Sequence, residues 1–310
     1  MELIRGIHNL KPRHQGCVLT IGNFDGVHLG HQSVLRHLVK KAAQLQLPAT
    51  VMTFEPQPLE MMIADQAPAR LTRLRDKYAV LQEQYIDRLL CVNFNRKFAA
   101  FSADAFITQL LVKKLGVKYL VVGDDFRFGN RRTGDFAMLQ AAGVKYGFEV
   151  VSMNTFSVDE ARVSSTMVRQ ALANNDLALA EQLLGRPFSI IGKVAHGAKL
   201  GRTIGFPTAN IPLKRCVDPI NGVYIVEVKG ISEQALQGVA NIGKHPTVGG
   251  MRTQLEVNLF NFTDDLYGKQ LEVVLKKKLR DEEKFASFDV LRQQIEKDVI
   301  AAKTYFGLSV

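Results

Sequence analysis

Residues 22 to 31 read GNFDGVHLGH, from Gly22 to His31, and the rest of the chain is organised around them. Ahead of them stands the apolar run Cys17-Val18-Leu19-Thr20-Ile21, long enough for one buried strand. Behind them Val34, Leu35, Leu38, Val39, Ala42 and Leu45 recur at helical spacing. The stretch is therefore a strand-to-helix turn. Gly22, Gly26 and Gly30 remove side chains where a backbone turns sharply or approaches a ligand. The N–H groups that open a helix favour an anion at the same place. His28 and His31, three residues apart, can aim two imidazoles at it, with Asp25 beside them. Gly-rich turns with satisfied histidines are common, but three glycines, an aspartate and two histidines within ten residues point to phosphate chemistry. No G-K-[ST] follows, so the turn is not a P-loop.

Downstream, residues 49 to 54 form a second strand-like run, ending in Glu55-Pro56-Gln57-Pro58, where two prolines forbid a central ladder. Further strand-like runs follow at 89–94, 119–123 and 148–153. Between them lie helical patterns at 71–85, 102–115, with Ser102 as N-cap, and 134–146. This alternation predicts an α/β, Rossmann-like parallel sheet with helices on both faces and a ligand crevice beyond the carboxyl ends of the strands. Each informative loop sits at such an end: TFEPQP at 53–58, GDDFRFG at 123–129, and RVSSTMVR at 162–169, which begins another helix. A lone serine before a helix usually only caps it. Ser164, Ser165 and Thr166 with free amides and Arg169 instead make a second anion cradle. Phe54 could be core or could stack on a ring.

Helical patterns at 165–174 and 176–184 stop at Gly185-Arg186-Pro187, and there the grammar changes. Short strand-like runs follow at 188–196, 222–229, 235–242, 255–262 and 270–279. About the last 20 residues look helical, with Leu291, Ile295, Val299 and Ala302 on one face. The pattern predicts a small antiparallel β-barrel closed by a C-terminal helix. At 310 residues, and about 150 per domain, the chain divides into domains 1–185 and 186–310. Within the second, Gly197, Lys199, Gly201 and Arg202 form a glycine-rich basic turn, readable as a hairpin loop or a phosphate site. GFPTAN follows at 205–210. Glu256, in the alternating run LEVNLF, reads on pattern alone as a solvent-facing strand residue.

Lysine and arginine outnumber the acids 40 to 30, for a net charge of +10 and a pI near 9.5. Such a balance suits nucleic acid, anionic membrane or anionic small substrates. The densest run, Lys276-Lys277-Lys278, lies in a strand-like segment without interleaved aromatics, so a solvated face is expected there. Cys17, Cys91 and Cys216 are an odd number in mostly apolar surroundings and read as small buried hydrophobes rather than a disulfide framework. Residues 1 to 16 carry no apolar core for a signal peptide, and no run approaches the ~18 apolar residues of a membrane span, so a cytoplasmic protein is expected.

GNFDGVHLGH resembles the H-x-G-H signature of the nucleotidyltransferase superfamily, in the form carried by FMN adenylyltransferases. The resemblance implies that His28, His31, Gly22, Asp25 and Gly30 serve the phosphates of ATP. TFEPQP is similar to that family's TFxPHP flavin loop, with Gln57 where histidine is frequent. GDDFRFG is similar to its VGxxFxFG loop, with Asp125 where several relatives carry asparagine. Phe54, Asp125 and Phe128 are thereby implied for the flavin. VSSTMVR resembles ISSTxxR, which grips the triphosphate and implies Ser164, Ser165, Thr166 and Arg169.

GFPTAN resembles the riboflavin kinase signature, in which the threonine and asparagine, here Thr208 and Asn210, hold metal and nucleotide phosphates. Hydroxyl and amide oxygens suit Mg²⁺. The same resemblance makes Glu256 the general base, Gly197, Lys199 and Gly201 phosphate contacts, and Arg280 a flavin contact, with Asn258 where histidine is usual. The chain is thus similar to the prokaryotic FAD synthetase family, riboflavin kinase joined to FMN adenylyltransferase. That implies riboflavin, FMN and FAD as substrates and products, ATP as co-substrate, and Mg²⁺. No nucleic-acid, membrane or obligate protein partner is expected, and the basic surface would steer polyanionic substrates. Two other readings stay open: an RNA-directed protein, suggested by the pI, and a flavin-storing protein that kept the folds without turnover.

Overall fold

Six strands of the N-terminal half pair in parallel: β1 (Glu2–Arg5), β2 (Cys17–Ile21), β3 (Ala49–Glu55), β4 (Arg88–Asn93), β5 (Val117–Val122) and β6 (Glu149–Ser152). Their order in the sheet is β1-β4-β3-β2-β5-β6. The structure is a computed structural model and describes every residue except 154–162, 197–204, 214–217, 248–249 and 310. Because β3 lies on one side of β2 and β5 on the other, the chain reverses direction across the sheet at β2. The loop that leaves β2 therefore opens the crevice. All five residues of β2 are buried. Cys17, Leu19 and Ile21 enter one core with Phe106 and Leu139, and Val18 enters the other with Leu35, Leu38 and Leu81. Both faces are covered, as continuously apolar parallel strands require.

Several elements differ from the sequence pattern, the short helices Pro58–Met62 and Arg96–Ala99 among them. β1 lies within the charged N-terminal stretch. As an edge strand beside β4 it buries only Ile4, too little to register as a strand. The 71–85 helix begins at Leu74, leaving Leu71 and Thr72 buried in a non-helical lead. The 102–115 helix starts as Ala103–Ala105 and continues as a π-helix over Phe106–Lys114, whose wide turn points Phe106, Ile107, Leu110 and Leu111 inward. Cys17 and Cys91 are buried free thiols, as expected, and burial pushes the Cys17 thiol up to about 12. Cys216 lies outside the described residues.

The C-terminal half forms a second sheet from β7 (Ser189–Lys193), β8 (Ala209–Pro212), β9 (Gly222–Lys229), β10 (Leu236–Thr247), β11 (Gly250–Leu259) and β12 (Gln270–Arg280). Every pairing is antiparallel, in the order β7-β12-β9-β10-β11-β8. A bridge between Ala195 and Asn210 brings the two ends together, so the sheet is a nearly closed barrel. The helix Phe288–Tyr305 lays Val299 and Ala302 on Val223, Ile225, Val239 and Phe260. β10 and β11 are longer than their apolar runs, because antiparallel pairing carries a ladder past its hydrophobic centre. β11 ends at Leu259, and Asn261 turns the chain with φ +51°.

By contacts the chain divides into Met1–Pro68 with Thr72–Ser165, and Ala69–Leu71 with Thr166–Val310. The helices Ser165–Ala173, beyond its first residue, and Leu177–Leu184 thus fall with the barrel. Between them Asn175 takes a hydrogen bond from Tyr224 Oη at 3.2 Å and one from Lys278 Nζ at 2.9 Å.

Candidate functional site

The turn after β2 is held from three sides within the first unit. Asp25, 2% exposed, accepts through Oδ1 from the Thr72 amide at 3.0 Å and the Thr72 hydroxyl at 3.2 Å. That hydroxyl in turn accepts from the Gly26 amide at 2.9 Å. The Ser165 hydroxyl donates to the Asp25 carbonyl at 2.9 Å, and the Gly22 amide to Met52 O at 3.1 Å. From below, Lys77 and Thr53 both donate to the Asn23 carbonyl, Thr53 at 3.2 Å. Gly30 needs its missing side chain, because a Cβ there would stand 3.0 Å from Val163 O and 3.2 Å from His28 Nδ1.

His28 is the N-cap of the helix Leu29–Leu45, its Nδ1 accepting from the His31 amide at 3.3 Å. The two rings stack with centroids 3.7 Å apart and planes at 21°, and Phe24 closes on His31 at 4.9 Å. His31 Nδ1 is buried and has no hydrogen-bond partner among the described residues. Burial, then the neighbouring charges of His28 and Lys77, hold the His31 imidazole well below its usual range, so it is neutral at pH 7. A neutral imidazole at a helix N-terminus can donate an N–H to an anion without carrying a charge that burial would oppose.

The other residues singled out in this half are more scattered. Ser164 and Ser165 belong to the first unit, whereas Thr166 and Arg169 fall in the second, where Arg169 Nε donates to Ala69 O at 2.6 Å. Phe54 and Phe128 are buried in an aromatic core, Phe54 against Phe94 at 5.7 Å and Phe128 against Phe106 at 5.0 Å. Asp125 is exposed, and a Cβ on Gly123 would stand 2.7 Å from its Oδ1. Gln57 is buried, and its Nε2 has no hydrogen-bond partner among the described residues.

In the barrel, pairing register assembles the polar groups. Glu256 on β11 lies directly opposite Asn210 on β8 and Asn241 on β10. Residues directly opposite on antiparallel strands share a face, so the three form one row. Gln254 Nε2 donates to Asn210 Oδ1 and reaches Glu256 Oε1 at 3.4 Å, while Asn210 Nδ2 donates to Thr208 O at 3.3 Å. Asn258 Nδ2 donates to Pro207 O at 2.9 Å, tying β11 to the GFPTAN segment. A cleft lined by Val194, Pro207, Thr208, Val257, Asp265 and Tyr267 among others takes its β11 residues from the face opposite Glu256. Gly197, Lys199 and Gly201 lie outside the described residues.

Arg280 is engaged elsewhere in the barrel. Its Nε and Nη2 reach Asp298 on the terminal helix at 2.8 to 3.1 Å, and its Nη1 donates to Asp281 O at 3.0 Å. Its guanidinium also lies 5.5 Å from the Phe285 ring centre. Sequence reading missed Thr72, Lys77 and Asp298. Thr72 stood inside an expected helix, and lysines and aspartates on amphipathic helices normally face solvent.

A family model described as FAD synthetase matches residues 10–167, and one described as riboflavin kinase matches 184–306. The chain is 59% identical over 310 residues to a bifunctional riboflavin kinase/FMN adenylyltransferase of Escherichia coli (strain K12), covering 100% of this chain and 99% of that protein. A protein of the same description from Haemophilus influenzae is 56% identical over 99% of this chain and 100% of its own length. One from Pseudomonas fluorescens is 52% identical over 98% and 97%. A crystal structure described as a macrolide-efflux protein from Streptococcus pneumoniae superposes with TM-score 0.74 at 31% identity, over 96% of this chain and 97% of that one. Among the described residues no helix is long and apolar enough to cross a membrane.

Proposed function

Because this chain belongs to the bifunctional riboflavin kinase/FMN adenylyltransferase family, we propose that it makes FMN from riboflavin and ATP in its barrel and FAD from FMN and ATP at its parallel sheet. The observation that carries the second step is the neutral His31 imidazole, its Nδ1 without a partner among the described residues, at a helix N-terminus beyond the switch-point strand. There a phosphate oxygen of FMN attacks the α-phosphorus of ATP, and pyrophosphate leaves. The attacking oxygen is already ionised, so no protein base or nucleophile is required. Positioning and charge neutralisation by His28, His31, the amides near Gly22, Asp25 and Gly30, and the Ser164 and Ser165 hydroxyls supply the rate.

In the barrel, Glu256 takes the proton of the ribityl hydroxyl as that oxygen attacks the γ-phosphate, and ADP leaves. Lys199 with Gly197 and Gly201 holds phosphate. Among the described residues no three His, Cys, Asp or Glu side chains gather, and we take a divalent cation in the barrel to share its ligands with phosphates and water. That is the manner of Mg²⁺, and the Thr208 and Asn210 oxygens fit it. When bound, the ion neutralises phosphate charge. For the flavins we propose Phe54, Asp125, Phe128 and Arg280. The small substrates need no membrane, nucleic acid or protein partner, and we place the enzyme in the cytoplasm.

Incubating the full chain with riboflavin, ATP and Mg²⁺ and resolving the flavins by chromatography tests the reading: FMN then FAD are expected, and flavin retained without conversion would leave only a binding protein. We propose domains 1–185 and 186–310. Fragments starting at Thr166 and at Arg186 should both phosphorylate riboflavin, the shorter one being less stable for want of Asn175. Phosphorylation by the 1–185 fragment alone would reverse the assignment.

A further inference from the structure

Lys77 is the third residue beyond Leu74, at which its helix begins, and is only 1% exposed. Burying an ammonium costs several kcal/mol unless hydrogen bonds and charge compensate. A methionine would occupy the same space without that cost, so the charge needs a reason. Lys77 Nζ donates to the Asn23 carbonyl and lies 3.2 Å from Thr53 Oγ1, itself buried and donating to the same carbonyl.

Asn23 is the second residue of GNFDGVHLGH. The peptide whose oxygen Lys77 grips carries the N–H of Phe24, which takes φ +46°, and Val27 follows at φ +43°. Left-handed geometry at two non-glycine residues persists only where surrounding contacts over-determine it. A charged donor on a carbonyl also polarises that peptide and strengthens its N–H toward an anion.

We propose that Lys77 is a positioning residue for FMN adenylylation: by gripping the Asn23 carbonyl it fixes the turn that presents His28 and His31 to the phosphates. It acts through the loop and does not itself touch substrate. The inference rests on the reading of that loop as the adenylylation site. Thr53 serves as the second anchor of the same oxygen.

The test compares Lys77→Met, Lys77→Arg and His31→Ala in the full chain, following both activities. Lys77→Met should lower the kcat of FMN adenylylation between about 10- and 100-fold, with riboflavin phosphorylation by the same preparation unchanged. Lys77→Arg, which keeps a charged donor, should restore part of the loss. The groups whose charge bears on His31 are His28 and Lys77. Nitrogen-detected NMR of the imidazoles should therefore show His31 protonating at higher pH in Lys77→Met but close to the wild-type pH in Lys77→Arg, which keeps the charge.

Adenylylation within twofold of wild type, a loss that Lys77→Arg fails to lessen, or an equal fall in both activities overturns the role. If Lys77→Met does not fold, Lys77→Gln carries the same comparison with a neutral donor. A wild-type rate in His31→Ala would instead sink the site reading itself. A crippled His31→Ala beside an unaffected Lys77→Met removes only the positioning role.

Discussion

The two units bring distant residues together by different means. In the parallel-sheet unit the groups converge as loops at one end of the strands, and the convergence is buried: Asp25, His28, Thr72 and Lys77 are all inaccessible and cross-linked by hydrogen bonds. In the barrel Asn241, Glu256 and Asn210 line up because antiparallel register puts them opposite one another on neighbouring strands. A loop site requires the chain around it to be held in shape. A register site is fixed by the sheet itself, with Asn210 buried and Glu256 and Asn241 half-buried. A substitution in the first therefore disturbs position as well as chemistry, whereas one in the second removes chemistry alone.

The sharpest break between the two is Glu256→Gln. The amide keeps the carboxylate's size but accepts no proton, so riboflavin kinase kcat should fall on the order of 10² to 10⁴-fold while FMN adenylylation is untouched. A kinase rate within threefold of wild type would remove Glu256 from the mechanism. Asp298→Ala comes next. It strips the carboxylate from Arg280, whose side chain is 17% exposed against 7% for Asp298. Leaving such a cation unpaired costs about 3–5 kcal/mol, read as a lower denaturant midpoint for the barrel. An unshifted midpoint would show that the pair does not brace the terminal helix.

His28→Ala or His31→Ala should lower FMN adenylylation by about 10²-fold, the scale for a lost transition-state donor, with riboflavin phosphorylation near wild type. Equal loss of both activities would mean that the histidines only hold the fold. The smallest effect is on pH. His31 titrates well below 6.5 in the folded chain. Below the unfolded value of 6.5 the unfolded chain binds a proton that the folded one refuses, so stability present above 6.5 is lost as pH falls beneath it. Urea midpoints for wild type and His31→Asn should diverge less at low pH than at high pH, and parallel curves would refute the assignment.

The parallel α/β sheet, the antiparallel barrel with its terminal helix and the strand-to-helix turn at Gly22–His31 were legible because strong local patterns encode them: apolar runs for β2 to β5, glycine spacing for the turn, alternation for β11. Thr72 and Lys77 were not. Each lies some 50 residues from the loop it holds, and a lysine inside a helix carries no local mark of burial. Phe24 and Val27 take glycine-like dihedrals without being glycine, a consequence of tertiary contacts that no turn propensity reports. Arg280 was singled out by motif likeness, but its partner Asp298, 18 residues on in another element, carries no local mark of the pair.

The seam of the barrel has its own consequence. Among the described residues β7 and β8 meet only through the Ala195–Asn210 bridge, closed by one amide at 2.8 Å. A cylinder joined at one rung opens there first, so backbone amides flanking that rung should exchange with deuterium sooner than those of β9, which is laddered on both edges. Asn210 is also a proposed ligand residue. Nucleotide and cation arriving there would act as a rivet, slowing exchange along the seam and coupling occupancy of the barrel to its closure.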